Sequence, residues 1–272
     1  MLELIDTHCH IQEANYELSG EGDGVRTKWF NAGKPDPDNM IESAMAVGVT
    51  HMICVGCTVE DSKLAVDFVQ NRNETLASIG IHPHEADRYV TDIKSLDKFT
   101  QLVTKPKVVA IGECGLDYFY MHSDKKNQEK ILRFQLEIAK EHNLPVIFHI
   151  REAFDDFWPI FDQYKVRGVV HSFSTNRQVL HNILDRGLYV GLNGIMTFTR
   201  DLEQLEAAKE IPLDKLVLET DAPFLTPAPY RGTICEPRHV SVTAGFLADL
   251  RGESLETFAQ ATTQNARRLF GF

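Results

Sequence analysis

The 272-residue chain carries 39 acidic against 28 basic residues, a formal charge of −11, which argues against a protein that coats long duplexes through cationic surface and counterion release. Its length leaves room for one domain of roughly 250 residues and little else. The five cysteines, Cys9, Cys54, Cys57, Cys114 and Cys235, are an odd set without the spacing of a disulfide framework, and no linker-like, solenoid-like or bilayer-length apolar segment interrupts the chain.

The first strand is Ile5-Asp6-Thr7-His8-Cys9-His10. Alternate strand residues face one side, so His8 and His10 form either a pincer for a cation or a hydrogen-bonded core pair. By the same parity Asp6 joins their face and Cys9 points to the other. Glu3 and Asp6 make this opening unlike a secretory leader, and a cytoplasmic location is the default expectation. A polar, glycine-containing stretch from about 12 to 38 then reads as an insertion, long enough to serve as a lid or binding element.

Short apolar runs follow at 50–56, 76–82, 107–113, 145–149, 168–171, 188–192 and 216–221, each consistent with a buried strand. Four of them close on a residue able to ligate a cation: Glu113, His149, His171 and Asp221. Cys54 and Cys57 look like a redox or zinc pair, yet three residues apart on a strand they point to opposite faces, and core filler is the reading they receive. His82 closes the 76–82 run, as a cap before Pro83 or as a substrate contact. The segment 124–142 has Ile131, Phe134 and Ile138 at helical spacing and is expected to be a helix.

With the first strand the count is eight, and strands alternate with helices. That predicts an α/β fold of the (β/α)8 TIM-barrel type, a single domain over 1–272. An open doubly wound sheet shares the alternation. In a barrel the C-terminal strand ends share one mouth, which makes the polar closing residues neighbours.

Seven stretches occur in order between Ile5 and about Phe270: Asp6-Thr7-His8-Cys9-His10, Gly80-Ile81-His82-Pro83-His84, Gly112-Glu113-Cys114-Gly115-Leu116-Asp117-Tyr118, His149-Ile150-Arg151-Glu152-Ala153, His171-Ser172-Phe173-Ser174, Glu219-Thr220-Asp221-Ala222-Pro223 and Thr263-Gln264-Asn265-Ala266. In these the chain resembles the TatD family of metal-dependent deoxyribonucleases, within the amidohydrolase-like metal barrels. The resemblance implies a two-metal site with His8, His10 and Asp221 on one ion, His149 and His171 on the other, and Glu113 bridging. It also implies substrate contacts at His82 and at Arg231, in a loop after the last strand. Arg151, two residues after His149, leans toward the same mouth, and its guanidinium fork suits phosphate oxygens. Asp117 and Tyr118 either shape the pocket or belong to loop packing. The chain departs from the family at Gln12, where an acidic residue is usual, and at Thr233 and Cys235, where Lys and Asn are customary.

Imidazoles suit zinc and carboxylates widen the choice to manganese or magnesium, so the expected cofactors are two divalent ions, Zn, Mn or Mg. Paired ions about 3.5 to 4 Å apart activate water and stabilise the leaving oxygen of a phosphodiester. Asp221 is assigned as ligand and general base, with Glu113 holding both ions. Asp6 and Glu219, each two residues before a ligand, are expected to orient ligating imidazoles. The expected activity is 3′-5′ exonucleolytic hydrolysis at a single-stranded DNA end, or of a small phosphoester, with no membrane and no obligate protein partner evident. Hydrolysis of another ester or amide, such as aminoacyl-tRNA deacylation, is the alternative, and a noncatalytic scaffold a third. Amide-hydrolysing barrels often carry a carboxylated lysine on the fourth strand, but here that strand closes on Glu113 and Lys107 lies at its other end. The insertion carries Arg26, Lys28, Trp29, Phe30 and Lys34, and Trp29 or Phe30 either stacks on a base or anchors the loop.

Overall fold

Parallel strands are covered on both faces and therefore read as near-continuous apolar runs. The computed structural model, which describes residues 2–14, 24–33 and 35–272, places eight such runs as β1 (Leu4–Cys9), β2 (Val49–Val55), β3 (Thr75–Ile79), β4 (Val108–Asp117), β5 (Val146–Arg151), β6 (Gly168–Val170), β7 (Tyr189–Leu192) and β8 (Leu216–Leu218). They follow one another in sequence order in one eight-stranded sheet, with helices between successive strands. This is the (β/α)8 TIM-barrel fold expected from the alternation. Among the described residues no helix is long and apolar enough to cross a membrane.

Contacts group the chain into two compact units. The first comprises Met1–Cys54, Ser172–Leu184 and Tyr189–Arg268. Within it β1 pairs in parallel with β2, from Leu4 opposite Val49 to Cys9 opposite Cys54, and β7 pairs with β8. Thr7 Oγ1 donates to Leu218 O at 2.9 Å, and Asp221 N donates to His8 O at 2.8 Å, which joins β1 to the end of β8. Leu4, Met52, Ile53, Leu216, Leu247 and Phe258 are buried there.

The second unit comprises Val55–His171, Asp185–Leu188 and Leu269–Phe272 and carries β3 to β6, all paired in parallel. Phe148 packs edge-on against Phe157 and Phe161, with centroids 5.1 and 5.8 Å away. The helix Lys125–Glu141 is started by Asp124, whose carboxylate accepts from Lys126 N at 2.9 Å, a good N-cap. Its buried stripe contains Ile131 and Ile138 as expected, but also Gln128 and Gln135, seven residues and two turns apart. Gln135 clamps Ile81, accepting from its N–H at 2.7 Å and donating to its carbonyl at 3.0 Å. Gln128 does the same to Asp117, at 2.8 and 3.1 Å. Buried amides are kept only when hydrogen-bonded, and here the bonds hold the backbone beside His82 and at the end of β4.

Several boundaries differ from the sequence reading. β4 continues four residues past Glu113, so Asp117 belongs to a strand and not to a turn. β3 stops at Ile79, and His82 instead caps the short turn Pro83–Glu85 by accepting from His84 N. The region read as an insertion contains the helix Gly24–Asn31 and the start of a second, Pro37–Ala46, capped by Asp36. Its residues 15–23 and Lys34 lie outside the described residues. Trp29 is fully buried and its Nε1 donates to His10 O at 3.0 Å, so of the two aromatics Trp29 anchors the segment and is not available to a base. Phe30 is exposed.

Candidate metal centre

In the first unit, β1 parity brings His8 and His10 to one side, their rings 5.1 Å apart and edge-on, both buried. Asp221, just beyond β8, presents Oδ1 to His8 Nε2 at 3.7 Å and to His10 Nε2 at 3.5 Å. Two ligands about 2.1 Å from one ion in a tetrahedron lie about 3.4 Å from each other, so these separations fit donors around a common cation. The set is held by backbone. Asp221 adopts φ 62°, a sparsely populated conformation for a residue with a side chain, and the residue before it is pinned. Asp6 Oδ1 accepts from Thr220 N at 2.9 Å and from His8 N at 3.2 Å, while Thr220 Oγ1 pairs with Asp6 Oδ2 at 2.6 Å.

Asp6 therefore orients backbone and not an imidazole, a correction to the expectation from parity. Burial pushes its carboxyl up to about 8, against the lowering effect of those hydrogen bonds. Glu219 Oε1 accepts from Ser172 N at 2.6 Å and from Asn193 Nδ2 at 3.3 Å. Gly191 makes room for it, since a Cβ there would lie 2.4 Å from Glu219 Oε2.

In the second unit Glu113 Oε1 faces three imidazoles: His149 Nδ1 at 2.8 Å, His82 Nε2 at 3.7 Å and His171 Nε2 at 3.9 Å. Donor atoms of His82, Glu113 and His149 all lie within 4.8 Å of one another. Gly80 permits this approach, because a Cβ there would sit 2.4 Å from Glu113 N. His149 Nε2 is bonded to Asp117 Oδ2 at 3.0 Å, so this imidazole bridges two carboxylates. Burial by itself would lower the His149 pKa, but the hydrogen bonds to Asp117 and Glu113 win and raise it to about 9. Burial would raise Asp117, yet the bonds from His149 and His84 hold it well below the usual carboxylate range. His82 goes the other way: burial and the neighbouring His149 charge push it well down, which leaves a neutral imidazole of the kind that ligates metals.

Asp117 thus does what parity had assigned to Asp6, fixing the tautomer and direction of a candidate ligand. With Nε2–H kept on Asp117, Nδ1 is the His149 nitrogen that faces Glu113. The donor chemistry of both sets, imidazole nitrogens and carboxylate oxygens at ligand spacing, fits divalent cations. Lys107 lies at the start of β4 with Nζ donating to Val69 O and Arg72 O at 2.9 and 2.6 Å, engaged away from Glu113.

Four participants escaped the sequence reading. His84 Nε2 shares Asp117 Oδ2 with His149, at 3.0 Å; its spacing from His82 repeats that of His8 and His10 and was the signal to follow. Half-buried Cys57, read as filler, places Sγ 3.7 Å from Glu113 Oε2. Its Cys-x-x-Cys spacing with Cys54 was its one sign, whereas nothing in the sequence marks the two clamping glutamines. Of the expected substrate contacts, Tyr118 lies under Lys125 Nζ at 3.7 Å, with its hydroxyl pKa raised by burial and by Asp156. Arg231 packs over Phe198 at 3.8 Å and donates Nη1 to Thr226 O at 3.0 Å. Arg151 is exposed beside Phe119 and Tyr120. Where the family has Lys and Asn, Thr233 Oγ1 donates to Tyr230 O at 2.8 Å and Cys235 is buried.

Comparison with known proteins fits this donor set. The sequence model of the family described as TatD related DNase matches residues 5–271. An Escherichia coli K12 protein named as an uncharacterized metal-dependent hydrolase, YcfH, is 36% identical over 98% of this chain and 95% of its own length. The 3′-5′ ssDNA/RNA exonuclease TatD of Citrobacter koseri is 35% identical over 87% of this chain and 93% of its own length. Among solved structures, the TatD homolog YJJV of Escherichia coli K12 superposes with a TM-score of 0.84 at 27% identity, covering 99% of this chain and 98% of that one.

Proposed function

Because this chain belongs to the family of TatD-related DNases and is a metal-dependent hydrolase, we propose that it removes nucleotides from the 3′ end of single-stranded DNA. The observation that carries this reading is the crowd of three imidazoles around one Glu113 oxygen, at 2.8 to 3.9 Å. Such a cluster is costly to keep buried unless a cation compensates it. His8, His10 and Asp221 would hold one ion, His149 and His171 a second, with Glu113 shared, and the two units would act as one domain. The position of these residues at or just beyond strand ends supports this arrangement, since catalytic groups of TIM-barrel enzymes come from the C-terminal ends of different strands.

Divalent ions bound there supply Lewis acidity and make water a nucleophile near neutral pH. Asp221 accepts the proton of the attacking water, its backbone fixed by its own N–H bond to His8 O and by the hold of Asp6 on Thr220 beside it. Asp117 keeps the His149 ring turned toward Glu113. His82, neutral and facing Glu113, contacts the scissile phosphate, while Arg151 and Arg231 hold flanking phosphate oxygens. Glu113 replaces the carboxylated lysine of amide-hydrolysing barrels, which favours phosphodiester over amide cleavage.

End-labelled single-stranded DNA incubated with protein loaded with Zn, Mn or Mg tests the reading. Stepwise shortening from the 3′ end is the expected result. Inert DNA beside a cleaved aminoacyl-tRNA or simple amide would overturn it.

A further inference from the structure

Beyond Asp117 the chain turns outward and leaves three consecutive large side chains exposed: Phe119 by 50%, Tyr120 by 51% and Met121 by 43%. Side chains of this kind are ordinarily buried, and a cluster of them at a candidate site marks a contact surface. The turn is rigidly attached to the metal-binding groups. Asp117 Oδ1 accepts from Phe119 N at 3.0 Å and from Tyr120 N at 2.9 Å, while its other oxygen takes His149 and His84. One carboxylate therefore aims a candidate ligand and sets the position of the aromatic pair.

The rings are braced from within. Tyr120 stacks on His122 at 5.7 Å and meets His84 edge-on, and Phe119 meets Tyr120 edge-on at 4.8 Å. Arg151, at the end of β5, lays its guanidinium 4.2 Å from the Phe119 centroid and 4.7 Å from that of Tyr120. Among the described residues Arg151 has these ring contacts and neither an ion pair nor a side-chain hydrogen bond. Arg186 differs, giving Nε and Nη2 to Asp162 at 2.9 Å. A guanidinium held by ring faces keeps its in-plane N–H fork for an incoming anion. In a chain of charge −11, such an uncommitted cation is a natural landing point for a phosphate.

We propose that Phe119 and Arg151 form a seat for one nucleotide of the single-stranded substrate: a base stacks on the Phe119 ring while Arg151 bonds the adjoining phosphate. This rests on the nuclease reading and adds to it a dependence on bases, which the metal groups alone would not produce. Base stacking on an aromatic platform tolerates any sequence, so the seat selects unpaired over paired ends and not one base over another.

The test compares two single-stranded decamers on the metal-loaded full chain, one carrying 2-aminopurine at its three 3′-terminal positions and one abasic at the same three. The wild type should quench 2-aminopurine fluorescence on binding and cleave the base-bearing strand with the higher kcat/KM. Phe119→Ala should abolish the quench and lower kcat/KM on that strand about 5- to 150-fold, chiefly through KM, while the abasic strand changes less than twofold; Phe119→Tyr should keep the wild-type pattern. Arg151→Ala should weaken both strands. Equal cleavage of the two strands by the wild type, or equal losses on both in Phe119→Ala, would overturn the seat and leave the nuclease reading standing. Inertness of the wild type toward both would overturn the nuclease reading itself.

Discussion

The two sets of candidate ligands are held in opposite ways. His8 and His10 stand off from Asp221 at 3.7 and 3.5 Å, kept there by strand parity and by bonds from Asp221 N to His8 O and from Thr220 N to the Asp6 carboxylate. In the second set Glu113 has closed on His149 at 2.8 Å and Asp117 has taken the other ring nitrogen. The first set is a frame already spaced for a cation. The second is a charge-paired network in which a proton occupies the position that a cation would take, so metal binding there must displace it.

Glu113→Ala should break the comparison most severely. The second set loses the carboxylate that faces three imidazoles, and metal content measured by plasma emission should fall together with cleavage to background; full metal content in this variant would show that Glu113 is no ligand. Asp221→Asn comes next, lowering kcat about 10²- to 10⁴-fold with metal content retained. Unchanged turnover with metal in place would remove Asp221 from the base role. Asp117→Asn should be milder, weakening zinc binding by about 10- to 100-fold in calorimetric titrations, because the imidazole is misdirected and not removed. An unaltered isotherm would show that Asp117 does not orient His149.

The smallest effect is one of pH and sharpens the contrast without metal. In chelated protein the folded state holds a proton on His149 up to about 9, whereas the unfolded chain releases it near 6.5. The stability this contributes is present in full below about 6.5 and is lost as pH rises through about 9. Urea midpoints of the chelated wild type should fall across that window, and Asp117→Asn should flatten the fall. Identical slopes would mean that the His149 proton is not held by Asp117. On adding zinc, about one proton should be released per second-set ion in the same window.

Much of the architecture was legible because a buried parallel strand leaves a plain trace, an apolar run closed by a polar residue. All eight runs are strands, and His8, His10 and Asp221 gather in one unit while Glu113, His149, His171 and His82 gather in the other. What failed was the assignment of supporting roles. Parity correctly placed Asp6 on the His8 side, but its nearest donors turned out to be the Thr220 and His8 amides. The carboxylate behind His149 came instead from Asp117, 32 residues away, once β4 ran on past Glu113. Trp29 was legible as an aromatic but not as a buried donor to His10 O. Gln128 and Gln135 leave no mark in the sequence because their partners, Asp117 and Ile81, lie outside the helix.

By itself the sequence determined the strand count and the supply of imidazole and carboxylate donors at strand ends, since periodicity and residue type are local properties written along one chain. Tertiary structure alone decided which carboxylate restrains which imidazole, which aromatic is anchored and which exposed, and that Arg151 rests on rings with its hydrogen-bond donors uncommitted. Those outcomes depend on contacts between residues far apart in sequence, where a hydrogen bond is gained or lost over less than an ångström.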